Sequence, residues 1–318
     1  MKSKVLSCIL ILSCCFVWAQ KNSAGAEDFL ERGMVNFRNG QLELAINDFN
    51  EVLKLNPGES IAYLTYNYRG EAYYLLEQYE LAIRDFSEAI KIDNEDAYTF
   101  VLRGDTYRIL NQFDAALWDV NEAVRLDPND FEAHAVLGLI YHDQSKYEKG
   151  LVSLNESLRL VPAGTWVYSL RGTIYWRQGF YDLALNDLNV SITMFPDDCY
   201  SFLNRGIVFR KLGDEAAAIR DFNEVIRLTG ESIKETGAFW YFSNRGEAYR
   251  LLGDLEEALE CFNESIRLRN DNAPSAIYGR RGIVHKELGQ MDLARQDFER
   301  ALSLNPTLEW VLSEMAGL

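Results

Sequence analysis

Histidine occurs three times in 318 residues, proline six times and cysteine five times. The three histidines (His134, His142 and His285) form no His-Glu-x-x-His, and no Cys-x-x-Cys is present, so the sequence holds no common zinc-ligand set. There is no Gly-x-Ser-x-Gly elbow and no phosphate-binding loop, so neither an activated serine nor a nucleotide site is indicated. No metal, no cofactor and no catalytic activity is expected. Positive charge is also scarce: 32 Lys and Arg stand against 48 Asp and Glu, a net charge of −16. A chain this acidic lacks the basic footprint that binds phosphate backbones, so nucleic acid is not an expected partner. Six prolines and 21 glycines exclude collagen-like and linker-like chains. An apolar fraction of 48% with 25% charged residues excludes disorder along the whole length.

Long apolar runs are missing too. The best is Val5 to Val17, preceded by Lys2 and Lys4. It falls short of the ~20 residues a membrane span needs. Val17-Trp18-Ala19 places a small residue where a signal peptidase cuts, so residues 1–19 are expected to be a signal peptide and the mature chain to start at Gln20. Ile11-Leu12-Ser13-Cys14 is a loose lipobox, so a lipid anchor at Cys14 is the alternative form of export. Cleavage leaves Cys199 and Cys261, too few for a disulfide framework. No transmembrane segment is expected in the mature chain.

What the sequence has in abundance is repetition. Arg-Gly recurs with its glycine at Gly33, Gly70, Gly104, Gly172, Gly206, Gly246 and Gly282, and Leu137-Gly138 fills the gap. The spacings are 37, 34, 34, 34, 34, 40 and 36 residues. Periods of this size indicate a solenoid. Twelve residues after each glycine stand Ala45, Ala82, Ala116, Gly150, Ala184, Ala218, Ala258 and Ala294. Four further on are Phe49, Phe86, Val120, Leu154, Leu188, Phe222, Phe262 and Phe298. Aromatics dominate the positions four before and three after the glycine, for example Tyr66 with Tyr73 and Tyr168 with Tyr175. Offsets −4, 0 and +3 share one face of a 3.6-residue helix. Small residues there let two helices approach closely. Offset +7 holds glycine in five units and marks the turn after the first helix, while Pro57, Pro128, Pro162, Pro196 and Pro306 close second helices.

These Gly-x-x-Tyr, Ala, Phe and Pro positions resemble the tetratricopeptide repeat over nearly the whole mature chain. The resemblance implies an all-α, right-handed superhelical solenoid of about eight helix-turn-helix repeats, with the first helices lining a concave groove that binds protein or peptide partners. The expected organisation is a lead-in over 20–25, repeats over 26–62, 63–96, 97–130, 131–164, 165–198, 199–238, 239–274 and 275–306, and a capping helix over 307–318. In that helix Leu308, Val311, Leu312 and Met315 share a face. The extra residues after Pro57 and in Thr229 to Ala238 are expected to be longer loops or an extended helix end.

Where the family often has leucine before the glycine, this chain has arginine, and fifteen residues after the glycine it has aspartate. The pairs are Arg32 with Asp48, Arg69 with Asp85, Arg103 with Asp119, Arg171 with Asp187, Arg205 with Asp221, and Arg281 with Asp297. The fourth unit lacks both, with Leu137 and Ser153, and the seventh pairs Arg245 with Cys261. The matched absence predicts a structural ion pair between the two helices of each unit. Three N-glycosylation triplets, at Asn155, Asn189 and Asn263, fall at one repeat position and are expected to reflect repeat composition.

The groove is read from offsets −6, −2, +1 and +5, with +4 on its flank. In units five to eight these rows collect Trp166, Trp176, Arg177, Tyr200, Asn204, Arg210, Lys211, Trp240, Asn244, Arg250 and Arg280. Asparagines can clamp a peptide backbone, cations can hold carboxylates, and aromatic rings offer stacking area. The expected function is an exported bacterial binding scaffold in the periplasm or cell envelope that takes an extended acidic segment. A cell-wall glycan binder using the same aromatics and a self-assembling rod joined through the apolar tail are the alternatives. The oligomeric state is left open.

Overall fold

A computed structural model describes residues 25–236, 238–269 and 273–318. The expected signal peptide and lipobox lie outside these residues. Everything regular in them is helical. Helix α1 runs over 25–38 and is followed by α2 (Leu42–Lys54), α3 (Glu59–Leu75), α4 (Tyr79–Ile92), α5 (Ala97–Ile109), α6 (Phe113–Leu126), α7 (Phe131–Asp143) and α8 (Tyr147–Leu160). Then come α9 (Thr165–Arg177), α10 (Tyr181–Met194), α11 (Cys199–Leu212), α12 (Glu215–Thr236), α13 (Phe239–Leu252), α14 (Leu255–Leu268), α15 (Ser275–Glu287), α16 (Met291–Leu304) and α17 (Glu309–Ala316). The contacts divide the chain between Pro162 and Ala163 into two compact units. Unit 1 holds α1 to α8 as four helix pairs, and unit 2 holds α9 to α16 as four pairs plus α17.

The glycine row explains how each pair closes. A Cβ on Gly70 would stand 2.7 Å from the Phe86 ring, and one on Gly206 would stand 2.6 Å from the Phe222 ring. Only a hydrogen at offset 0 leaves room for the large residue at +16. Phe49, Phe86, Phe222, Phe262 and Phe298 are completely buried there. The second-helix alanines at +12 are buried as well. Between the helices, offset +7 turns the chain with positive φ in every repeat. Glycine does this at Gly40, Gly179, Gly213, Gly253 and Gly289, whereas Glu77, Asn111 and Ser145 adopt φ of 57–59° despite their side chains.

The long spacings become helix, not loop. The residues added after Pro57 lengthen α3 to 17 residues, and those before Gly237 lengthen α12 to 22. At the C-terminus, Val311 of α17 is fully buried on the last pair, and Trp310 sits over Gly279. The sequence placed Leu312 on the packing face; it is exposed, and Trp310 takes its share of the contact with Leu308 and Met315. The apolar side of this helix is therefore rotated toward Trp310.

Candidate functional site

Two ladders of polar contacts order the first helices before any ligand is considered. The first is the arginine ladder. Arg69 grips Asp85 with two hydrogen bonds of 2.7 Å and reaches back to Asn50 of the preceding repeat at 2.6 Å. Arg103 does the same to Asp119 and to Ser87, and Arg205 to Asp221 and Asn189. Arg281 binds Asp297 and Asn263, Arg171 binds Asp187, and at the start of the array Arg32 binds Asp48. Each complete rung ties a repeat to itself and to its predecessor. In the fourth repeat Leu137 is buried in the apolar core and Ser153 turns its hydroxyl to the Lys149 carbonyl. The glycosylation triplets are spent on the same scaffold. Asn189 and Asn263 accept from these arginines, and Ser157, Ser191 and Ser265 are buried and donate to carbonyls of Phe131, Thr165 and Phe239.

The second ladder runs along offset +4 and was not foreseen. Tyr74 donates to Asp105 of the next repeat at 2.5 Å. Arg108 bridges Asp105 and Asp143, each at 2.7 Å. In unit 2 Trp176 Nε1 donates to Asn204 at 3.0 Å, and Arg210 binds Glu215 and the Leu251 carbonyl. Arg250 spans Glu247 at 2.7 Å and Glu287 at 2.8 Å, and Lys286 binds Glu314 of α17. Arg210 and Arg250, read from the sequence as groove cations that could hold carboxylates, have their charges matched within the chain by carboxylates that hold neighbouring elements together. Asn204 is corrected too. It is buried, its Nδ2 donating to the Tyr200 carbonyl and its Oδ1 receiving Trp176. Asn244 is half-buried with Nδ2 3.6 Å from Cys199 Sγ, and Arg280 reaches Ser243 at 3.5 Å. The Asp105–Arg108 and Glu247–Arg250 spacings of i,i+3 were the available signal for this ladder.

What stays outward is the −6 row with part of the +5 row. Trp166 and Trp240 are 43% and 50% exposed, Tyr200 is half-buried between them in sequence, and Leu64 and Tyr98 hold the same exposed position in unit 1. Trp240 is braced edge-on by Phe239 at 5.3 Å. Arg177 and Lys211 are exposed. They follow Trp166 and Tyr200 by eleven residues, three helical turns, so each aromatic shares a face with a cation about 16 Å along the helix. Among the described residues no group of three His, Cys, Asp or Glu side chains is placed to hold a metal ion, and no helix is long and apolar enough to cross a membrane.

Four family models described as tetratricopeptide or TPR repeat match residues 29–59, 63–96, 104–145, 198–271 and 275–308, together more than half of the chain. Among curated proteins no sequence matches. A tetratricopeptide repeat protein from Parabacteroides merdae superposes with a TM-score of 0.56 at 17% identity, over 80% of this chain and 98% of that one. A chain of the APC/C hetero-tetramer Cut9–Hcn1 gives 0.52 at 15% identity, over 92% and 75%. MamA gives 0.46 at 20% identity, over 52% and 96%. The helix pairs, the glycine and alanine rows and the matched models agree, and this chain belongs to the tetratricopeptide repeat family.

Proposed function

We propose that this chain is a non-catalytic protein–protein interaction scaffold, exported to the periplasm or cell envelope, that receives an extended acidic segment of a partner protein across the first helices of unit 2. The observation that carries this reading is the row of Trp166, Tyr200 and Trp240 on three successive first helices. Two of the three are large rings left in water, whereas no aromatic in the rows four before and three after the glycine is exposed. Arg177 and Lys211 stand on the same faces and supply the charge for carboxylates. Rigid first helices, tied to one another by the +4 ladder, lose little freedom on binding, so the ordering cost falls on the partner. Export rests on the basic start, the short apolar run and Ala19.

Crosslinking in the native cell, followed by identification of the captured protein, tests the scaffold reading. A Trp166→Ala/Trp240→Ala variant with an unchanged melting temperature should lose the captured partner. An Arg177→Glu/Lys211→Glu variant should weaken capture, and added salt should weaken it in the wild type. Full capture by the tryptophan variant would reject the reading. Fractionation and N-terminal sequencing check export: the mature chain should begin at Gln20 or, if lipidated, at Cys14.

A further inference from the structure

The seventh repeat breaks the arginine ladder and leaves a cleft. Arg245 keeps the guanidinium of its row, but Cys261 stands where six repeats have aspartate. Arg245 donates from one terminal nitrogen to the Tyr249 hydroxyl at 3.1 Å, while its Nε is buried with no hydrogen-bond partner. In the other rungs that same Nε donates to an aspartate at 2.7–3.0 Å. Cys261 cannot replace the missing anion. Burial pushes its thiol up to about 11, so it is uncharged at neutral pH. Where the carboxylate would sit there is a cleft of about 350 Å³, bounded by Phe242, Arg245, Tyr249, Cys261, Glu257 and Glu260. That is the small end of the range for small-molecule sites.

The lining selects the occupant. A guanidinium whose Nε has no hydrogen-bond partner, beside a neutral thiol, calls for a carboxylate. Yet a simple anion would meet Glu257 and Glu260, both exposed on α14. No other repeat has an acid at either of these positions; the +11 row holds Leu44, Leu81, Leu183 and Leu293 among others. The one repeat that kept its arginine but lost its aspartate has gained two glutamates at the mouth. Glu264, also on the rim, is held by Arg267 at 2.5 Å. Phe242 and Tyr249 add ring surface. One carboxylate, one ammonium and an apolar body satisfy all of these at once.

We propose that the cleft of the seventh repeat binds a free α-amino acid with an apolar side chain, its carboxylate on Arg245, its ammonium between Glu257 and Glu260, and its side chain against Phe242 and Tyr249. None of these residues belongs to the Trp166–Tyr200–Trp240 row, so this site stands or falls separately from the partner-binding face.

Calorimetric titration of the full chain with L-leucine tests it, with 4-methylvalerate (no ammonium) and isoamylamine (no carboxylate) as matched probes. Leucine should bind, and each analogue should bind at least about tenfold more weakly, as expected when a charge-assisted hydrogen bond is lost. Cys261→Asp places the row's ordinary carboxylate in the cleft and should abolish leucine binding without lowering the melting temperature. Arg245→Gln should abolish it as well, and serves if the aspartate variant is destabilised. Glu257→Gln/Glu260→Gln should weaken leucine and leave 4-methylvalerate unchanged or tighter. No leucine binding up to its solubility limit, equal binding of the analogues, or undiminished binding by both the Cys261 and Arg245 variants would overturn the proposal.

Discussion

At the scale of the residue, the Arg–Asp pair specifies register more than it adds stability. Arg103 is 14% exposed and Asp119 1%. Burial pushes the Asp119 carboxyl above its ordinary range, and the hydrogen bond from Arg103 takes back only part of that. A pair of this kind roughly balances desolvation against attraction, but breaking one half strands a charge. The fourth repeat shows the neutral way out, with both partners replaced at once by Leu137 and Ser153. Hence Arg205→Leu should cost about 3 kcal/mol in urea unfolding. Adding Asp221→Ser should recover more than half of that loss. Arg32→Leu should cost far less, because the Arg32 side chain is 60% exposed. Equal losses for Arg205→Leu and Arg32→Leu, or no recovery in the double variant, would show that burial is not what gives the pair its weight.

At the scale of the element, helix starts and ends decide how the repeats join. Asp96 caps α5 by accepting from the Thr99 N–H at 2.9 Å and also receives the Tyr63 hydroxyl of the preceding repeat at 2.7 Å. Burial alone would raise the Asp96 carboxyl. Thr99, Tyr63 and the neighbouring backbone N–H groups outweigh it and hold the carboxyl below its ordinary range. Burial and the Asp96 contact push the Tyr63 phenol up to about 12. A carboxyl lowered in the folded state contributes stability that is present above its unfolded pKa of about 4 and is lost as pH falls through the folded value. Asp96→Asn should therefore be less stable than wild type by up to about 1 kcal/mol at pH 7. The gap should close toward pH 3; urea midpoints at both pH values check this, and a pH-independent gap would contradict it. The turns and helix pairs of this element plan were legible in the sequence because each rests on one residue at a fixed offset. The fate of the inserted residues was not: whether a stretch such as TGESIKET continues α12 or loops out depends on what its turns pack against, which the repeat rows do not encode.

At the scale of the whole molecule, the repeat period carried the fold, and the polar ties between repeats escaped it. Glycine against phenylalanine and arginine against aspartate lie within one repeat, so their spacing is constant and readable. Arg250 to Glu287 and Arg210 to the Leu251 carbonyl cross from one repeat to the next, where long side chains choose among several acceptors. Their outcome depends on how helix pairs are offset. The docking of Trp310 over Gly279 was hidden for the same reason, since α17 has no counterpart in the period. That helix supplies the last prediction. A stacked array is held by nearest-neighbour contacts, so damage at one end should fade with distance. Deleting residues 307–318 removes buried Val311 and half-buried Trp310 from the cluster around Ile277, Tyr278 and Val284, and takes Glu314 from Lys286. Hydrogen exchange on the truncated chain should show α15 and α16 losing most of their protection, α13 and α14 losing part, and α1 to α8 keeping theirs. If protection instead falls equally in every helix, the chain unfolds as one cooperative body and α17 is a keystone for all of it, not the cover of one exposed end.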